Sequence, residues 1–282
     1  MRRTIAKEVN KSGTALHAGV VVDMRLLPAE PYTGIVFRRR DIGGREIPAL
    51  YDRVAETRLG TVIAEADATV GVIEHLMAAI AGAQIDDLVV SLDGPEPPIL
   101  DGDALSYFRL IEGAGVRDRP GARTAFKVVR PVEVTIGDAQ VRLLPSHGSE
   151  YHFDLDYSNT KAIGKQSYTM TFTRQNFARE IAPARTFGFM HELDALNKMG
   201  LARGASLTNT IAIDGDNVIN KDLMRFPDEF VRHKILDAIG DMALAGGPLI
   251  ARFEGVKSGH ATNNAVLRAL FADSANYELI EI

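Results

Sequence analysis

The chain has 282 residues, of which 46% are hydrophobic and 24% charged, a composition that excludes a disordered chain, collagen and a coiled coil. Its net charge of −5 argues against unaided electrostatic binding of nucleic acid, so we expect no nucleic-acid partner. Cysteine is absent, which excludes disulfides, thiolate zinc sites and iron–sulfur clusters. Any metal must therefore be held by His, Asp or Glu.

The sequence contains no run of about 18 consecutive apolar residues, and no apolar segment follows the arginines near its start. We therefore expect a cytoplasmic protein that does not insert stably into a membrane.

The first part of the chain is predicted to begin with a β-hairpin, because strand-like runs at 4–9 and 20–27 flank turn-forming residues at 10–13. An amphipathic helix follows, with Thr69 as its N-cap and Gly82 at its end. Apolar residues recur at helical spacing within it, at Ile73, Leu76, Met77 and Ile80. A strand at 88–90 and a helix at 104–113 are predicted next.

Residues 113–121 are rich in Gly, Pro and charge, which is typical of a linker between domains. We therefore predict two domains, 1–120 and 121–282. In the second, strands are expected at 127–136, 140–144, 151–157 and 249–256, with another at the chain end. Helices are expected at 190–199, 228–245 and 260–272. A weak internal echo relates residues 77–80 to residues 236–239, which lie in similar predicted helices.

The helix at 228–245 carries the strongest chemical pattern. At about 100° per residue, Asp237 and Asp241 lie roughly 40° and 80° from His233, whereas the apolar residues lie on the opposite face. A solvated polar face is the simplest interpretation. However, a His-x-x-x-Asp pair is also a good two-ligand clamp for zinc.

A catalytic zinc site needs a third protein ligand and one open position. His75 is a candidate for the third ligand, and the preceding Glu74 could hold a proton of the attacking water. A surface Glu-His pair is the alternative. His260 at a predicted helix start and Thr186 in the loop 184–189 could also be functional, Thr186 as a donor to an oxyanion, although each could equally be structural.

Taken together, these segments resemble the zinc-dependent UDP-3-O-acyl-N-acetylglucosamine deacetylases, which commit the sugar to lipid A in Gram-negative bacteria. The resemblance spans essentially the whole chain. It rests on six motifs in order: SGTALHAG at 12–19, IEHLMAAIAG at 73–82, DGPEPPILDG at 93–102, ARTFGF at 184–189, RFPDEFVRHKILDAIGD at 225–241 and KSGHATNN at 257–264.

The resemblance implies that zinc, or alternatively Fe²⁺, is held by His75, His233 and Asp237. It implies that Glu74 is the general base and that His260, helped by Asp241, stays protonated.

It also implies that Thr186 hydrogen-bonds the tetrahedral intermediate and that Lys234 and Phe187 contact the substrate. The substrate would be UDP-3-O-(3-hydroxyacyl)-N-acetylglucosamine, whose acetamide is hydrolysed to acetate and the free amine.

The fold implied by the resemblance is α+β, with two similar two-layer sandwich domains whose helices pack between two sheets. An insert at about 190–213 is expected to line a passage for the acyl chain, and the protein is expected to be a monomer.

Two other functions remain open on the residues alone. One is a different water-activating metalloenzyme, such as a peptidase or a nucleotide-sugar hydrolase, with the same clamp. The other is a protein that binds a structural metal or a lipid nucleotide, in which Glu74 has no catalytic role.

Overall fold

A computed structural model describes all residues, 1–282. The first part of the chain forms ten strands and two helices. They are β1 (Arg2–Ile5), β2 (Val9–Thr14), β3 (Val21–Pro28), β4 (Ile35–Arg39), β5 (Arg45–Pro48), β6 (Val54–Glu56), β7 (Val62–Glu65), β8 (Ala68–Val70), α1 (Glu74–Gly82), β9 (Leu88–Leu92), α2 (Leu105–Ala114) and β10 (Val116–Arg119).

The second part forms eleven strands and four helices, of which α3 is a single turn. They are β11 (Thr124–Val128), β12 (Val132–Ile136), β13 (Ala139–Leu144), β14 (Glu150–Tyr157), β15 (Gly164–Thr171), α3 (Arg174–Asn176), β16 (Phe187–Phe189), α4 (Met190–Lys198), β17 (Ile211–Asp214), β18 (Asn217–Val218), α5 (Glu229–Met242), β19 (Leu249–Ile250), β20 (Arg252–Val256), α6 (His260–Phe271) and β21 (Tyr277–Glu281).

Two five-stranded sheets share one topology. Their strand orders are β2-β3-β9-β4-β5 and β12-β13-β20-β14-β15, and in each sheet only the contact between the third and fourth strands is parallel. In both units one helix precedes the central strand and another follows it, so α1 corresponds to α5 and α2 to α6. The faint echo between residues 77–80 and 236–239 therefore reflects equivalent helices.

The two equivalent helices α1 and α5 pack against each other in the middle of one apolar core. Their apolar faces are fully buried, at Leu76 and Ile80 in α1 and at Ile235 and Ile239 in α5. Burial of each such side chain stabilises the fold by about 1.5–3 kcal/mol. The α+β class predicted from the sequence is confirmed.

A glycine permits the close approach of these helices. A Cβ atom at Gly240 would lie 2.0 Å from the carbonyl oxygen of Glu74 and 2.7 Å from its carbonyl carbon. Only a residue without a side chain fits there, because both atoms belong to the backbone of α1. The crossing point thus lies at the first residue of α1, beside the polar residues of α5.

The boundaries of α5 follow the sequence closely, but those of α1 do not. Helix α5 and the 3₁₀ turn after it end at Gly246, which has a φ of 83°. Helix α1 begins at Glu74 rather than after Thr69, because Thr69 lies in β8 and Val72 has a φ of 53°. A right-handed helix cannot pass through that left-handed conformation.

Three other predictions of local structure differ from the structure. Residues 10–13 lie within β2, paired with β3, and the reversal comes later, where the Ala15 N–H bonds the Val20 carbonyl. The run 127–136 is divided at Pro131, which has no N–H to donate to a sheet. The predicted linker contains β10, which pairs with β1. The boundary between residues 120 and 121 stays a prediction.

No helix in the structure is long and apolar enough to span a membrane.

Candidate active site

A cavity of about 650 Å³ opens beside the crossing of α1 and α5. Eight of the nine residues singled out from the sequence lie in its wall, namely Glu74, His75, Thr186, Phe187, His233, Lys234, Asp237 and His260. The ninth, Asp241, lies directly behind His260. Residues 190–213 do not belong to this wall, so the passage expected for an acyl chain stays a prediction.

His75, His233 and Asp237 form a buried cluster whose ligand atoms all lie within 4.8 Å of one another. The Oδ1 atom of Asp237 is 3.3 Å from Nε2 of His233 and 3.7 Å from Nε2 of His75. His233 and Asp237 are one helical turn apart on α5, whereas His75 comes from the first turn of α1. The helix crossing therefore assembles the cluster.

The hydrogen bonds of the two imidazoles fit metal ligation. Nδ1–H of His233 donates to the carbonyl of Ala184 at 3.1 Å, which leaves Nε2 without a proton. His75 makes no hydrogen bond with the chain, and its buried Nδ1 has no partner. Because buried polar atoms are nearly always paired, this ring requires a group that the chain does not supply, and a divalent cation fits.

The protonation states fit as well. Burial and the adjacent His233 lower the pKa of His75 to about 3, so its imidazole is neutral and can coordinate. Burial alone raises the pKa of Asp237, but His233 and Lys234 hold that pKa well below its usual range. The Lys234 ammonium donates to Oδ2 of Asp237 at 2.7 Å, leaving Oδ1 to face the two imidazoles.

Glu74 lies next to the cluster and is 3% exposed. Its Oε2 accepts the backbone N–H of Thr61 at 2.9 Å, and its Oε1 is 3.8 Å from Nε2 of His260. Burial raises the pKa of this carboxyl to about 7, in spite of the nearby His260. A carboxyl with that pKa can gain or lose a proton near neutral pH, as a general base requires.

His260, the first residue of α6, is held by Asp241. Its Nδ1–H donates to Oδ2 of Asp241 at 2.8 Å, and the Asn263 amide donates to the same oxygen at 2.9 Å. Burial alone lowers the pKa of His260, but Asp241 and Glu74 raise that pKa to about 10. The imidazole is therefore a cation at neutral pH and can donate from Nε2.

A buried ion pair fixes the loop that carries Thr186. Arg185 is 3% exposed, and its backbone N–H and Nε both donate to Oε1 of Glu229 at 3.0 Å. The next two residues enter the cavity wall: Thr186, and Phe187, whose ring packs on that of Phe230. The same loop presents the Ala184 carbonyl to His233.

Sequence reasoning missed the roles of Thr61 and Asn263 in this network. The hydroxyl of Thr61 donates to Oδ1 of Asp241 at 2.5 Å. Asn263 follows His260 by three residues, so one turn of helix could have indicated its position. Thr61 has no such signal, because it is distant in sequence from both carboxylates that it contacts.

The chain matches the family described as LpxC, UDP-3-O-acyl N-acetylglycosamine deacetylase, over residues 2–272. Curated relatives named UDP-3-O-acyl-N-acetylglucosamine deacetylase are similar over nearly their whole length. The protein of Myxococcus xanthus (strain DK1622) is 44% identical over 280 residues, which are 99% of this chain and 89% of the relative. That of Phenylobacterium zucineum (strain HLK1) is 45% identical over 264 residues, 93% and 90% respectively. That of a Nitratiruptor species is 42% identical over 280 residues, 99% and 93%.

Proposed function

The chain belongs to the UDP-3-O-acyl N-acetylglycosamine deacetylase family, and from this membership we propose that it hydrolyses its substrate's acetamide in the cavity at the crossing of α1 and α5. The substrate is UDP-3-O-(3-hydroxyacyl)-N-acetylglucosamine, and the products are acetate and the free amine. The reaction is the committed step of lipid A biosynthesis. The observation that carries the location is the buried cluster of His75, His233 and Asp237, with Glu74 beside it.

We propose that this cluster holds a catalytic divalent cation, and that the cation is zinc. Two neutral imidazoles and one carboxylate are a ligand set that zinc takes in hydrolases, with one position left open. Fe²⁺ accepts the same donors, so it is the alternative metal. When bound, the cation supplies Lewis-acid polarisation of the amide carbonyl and makes water acidic enough to attack at neutral pH.

Glu74 and His260 divide the two proton transfers. Glu74 takes the proton of the attacking water, since its carboxyl lies beside the metal ligands and its pKa is raised towards neutrality. The amine can leave only if it is protonated, and the imidazolium of His260 is placed to donate that proton from Nε2. Asp241 keeps the imidazole charged and fixes its orientation.

Three further side chains of the cavity wall serve the substrate. We propose that the hydroxyl of Thr186 donates to the oxygen on which negative charge develops. Lys234 lies against Asp237 with its ammonium 5.5 Å from the centre of the Phe187 ring, so the two side chains form one surface. We propose that this surface contacts the sugar near the acetamide.

The segment 190–213 is the proposed site of the acyl chain. Its support is the exposure of large apolar side chains, with Met199 58% and Leu207 49% exposed. A hydrocarbon chain would remove such surface from water, at about 25 cal/mol per Å². The cytoplasmic location and the monomeric state expected from the sequence stay predictions.

Activity and metal content, measured on the same samples, test the proposal. The purified protein should contain about one zinc or iron ion per chain and release acetate from the acylated UDP-sugar. Chelation should abolish turnover, and added Zn²⁺ should restore it. Turnover of peptides instead would identify another metalloenzyme, and a Glu74→Ala variant that keeps both metal and full activity would refute the role of Glu74.

A further inference from the structure

Thr61 contacts both carboxylates that flank the proposed reaction centre. Its backbone N–H donates to Oε2 of Glu74 at 2.9 Å, and its hydroxyl donates to Oδ1 of Asp241 at 2.5 Å. The residue is 2% exposed, so neither hydrogen bond competes with bulk water. One residue thus joins the base to the carboxylate that supports the acid.

The hydroxyl of Thr61 has a distinct place among the donors to Asp241. Oδ2 accepts from His260 and from Asn263, whereas Oδ1 accepts from Thr61 alone. Without the hydroxyl, one oxygen of a carboxylate that is 2% exposed would have no donor, and the carboxylate plane would be free to turn. Rotation of Asp241 would move the imidazole that it orients.

The backbone at Thr61 is itself held in place. Its carbonyl accepts the N–H of Ile73, next to the start of α1. Two residues earlier, the carbonyl of Leu59 accepts Nε2–H of His17 at 2.9 Å. Thr61 therefore contacts Glu74 and Asp241 from a loop that is anchored on both sides of the cavity wall.

We propose that Thr61 is a positioning residue for the deacetylation. Its amide sets the orientation of Glu74, and its hydroxyl sets that of Asp241 and, through Asp241, of His260. Thr61 lies outside the cavity wall and acts through these side chains. The proposal rests on the proposed function, because the geometry it preserves is that of the two proton-transferring groups.

Three threonine variants separate the hydroxyl from the rest of the side chain. Thr61→Val keeps the shape and the backbone N–H but removes the hydroxyl, and it should lower kcat about ten- to a hundredfold, with KM changed less than about twofold. Thr61→Ser restores the donor and should retain at least about a third of kcat. Thr69→Val is the matched control, because Thr69 is exposed on β8, and it should behave as the wild type.

A double-mutant cycle with Asp241→Asn tests whether the effect passes through Asp241. In that background, Thr61→Val should lower kcat by less than about threefold, since the shared interaction is already lost. Full multiplication of the two effects would overturn the proposal. So would an unchanged kcat in Thr61→Val, or an equal loss in Thr61→Ser.

Two controls keep these outcomes interpretable. Metal content and circular dichroism are measured for each variant, and Thr61→Ala replaces Thr61→Val if the valine variant does not fold. Wild-type turnover of the acylated UDP-sugar is measured first, because its absence refutes the proposed function. Normal wild-type turnover with an unaffected Thr61→Val and Thr61→Ala refutes only the role of Thr61.

Discussion

Nδ1 of His260 lies 2.8 Å from Oδ2 of Asp241, and the opposite nitrogen of the same ring lies 3.8 Å from Oε1 of Glu74. One imidazole therefore separates a carboxylate that only accepts hydrogen bonds from one whose pKa is raised to about 7. This arrangement gives the two carboxylates different tasks, since Asp241 keeps His260 charged while Glu74 can exchange a proton.

The first prediction is a bell-shaped dependence of kcat/KM on pH. Activity requires ionised Glu74, so it rises as the pH increases through the pKa of Glu74, which is about 7 without metal and lower beside a cation. Activity also requires protonated His260, so it is lost as the pH rises towards the pKa of about 10. His260→Ala should flatten the basic limb.

Rates measured between pH 5 and pH 10 with a saturating metal check this assignment. His152→Ala is the control, because His152 lies on β14 outside the cavity wall, and that variant should keep both limbs. An unchanged bell in His260→Ala would show that His260 is not the group that must stay protonated.

The second prediction concerns Thr186. Thr186→Val should lower kcat by about 10²–10³ with little change in KM, because the lost hydrogen bond strengthens only as charge develops on the oxygen. Thr186→Ser should retain most of the activity. Steady-state kinetics on the acylated UDP-sugar measure both variants, and an equal rise in KM for valine and serine would instead indicate a role in binding.

The third prediction is that Gly240→Ala separates the two central helices. The new Cβ would meet the backbone of Glu74 at 2.0 Å, so α1 and α5 must move apart. We expect a loss of about 1–3 kcal/mol in the free energy of unfolding, together with a large loss of metal affinity.

Urea unfolding and metal titration measure the two effects. Gly113→Ala is the matched control within α2, where a Cβ meets no atom within 4 Å. That variant should be stabilised by about 0.5–1 kcal/mol, because alanine is the better helix former. Equal stability of the two variants would contradict the proposed close contact.

The fourth prediction concerns the buried ion pair of Arg185 and Glu229. Glu229→Gln leaves the guanidinium buried without a counter-charge, which should cost about 3–5 kcal/mol in the free energy of unfolding. Glu112→Gln is the control, since it removes a partner from an exposed pair with Arg174 and should change stability by less than about 1 kcal/mol. Denaturant unfolding compares the two, and equal effects would refute the prediction.

The sequence predicts the elements that end at strong local signals. Helix α5 is recovered within a few residues because Pro227 and Gly246 mark its ends. The start of α1 is missed because Val72 adopts a left-handed conformation that no residue type announces. The short strands β4–β8 were not predicted, since three to five residues carry too little periodicity to identify a strand.

The candidate site was only partly accessible to sequence reasoning. The spacing of His233 and Asp237 indicates a pair of ligands on one helix face, but no pattern along the chain joins them to His75. That link came from the resemblance to a family, and in the structure it depends on the contact between α1 and Gly240. Thr61 was missed altogether, because its contacts arise from tertiary packing.

The equivalence of α1 and α5 means that neither repeat contains the full set of ligands. One repeat supplies a single imidazole, and the other supplies an imidazole and a carboxylate. Cation affinity therefore measures how well the two repeats are docked, and fragments made by cleavage between them would regain a shared ion only by reassociating. Duplication of a strand order thus produced a centre that a lone ancestral copy could not have assembled within itself.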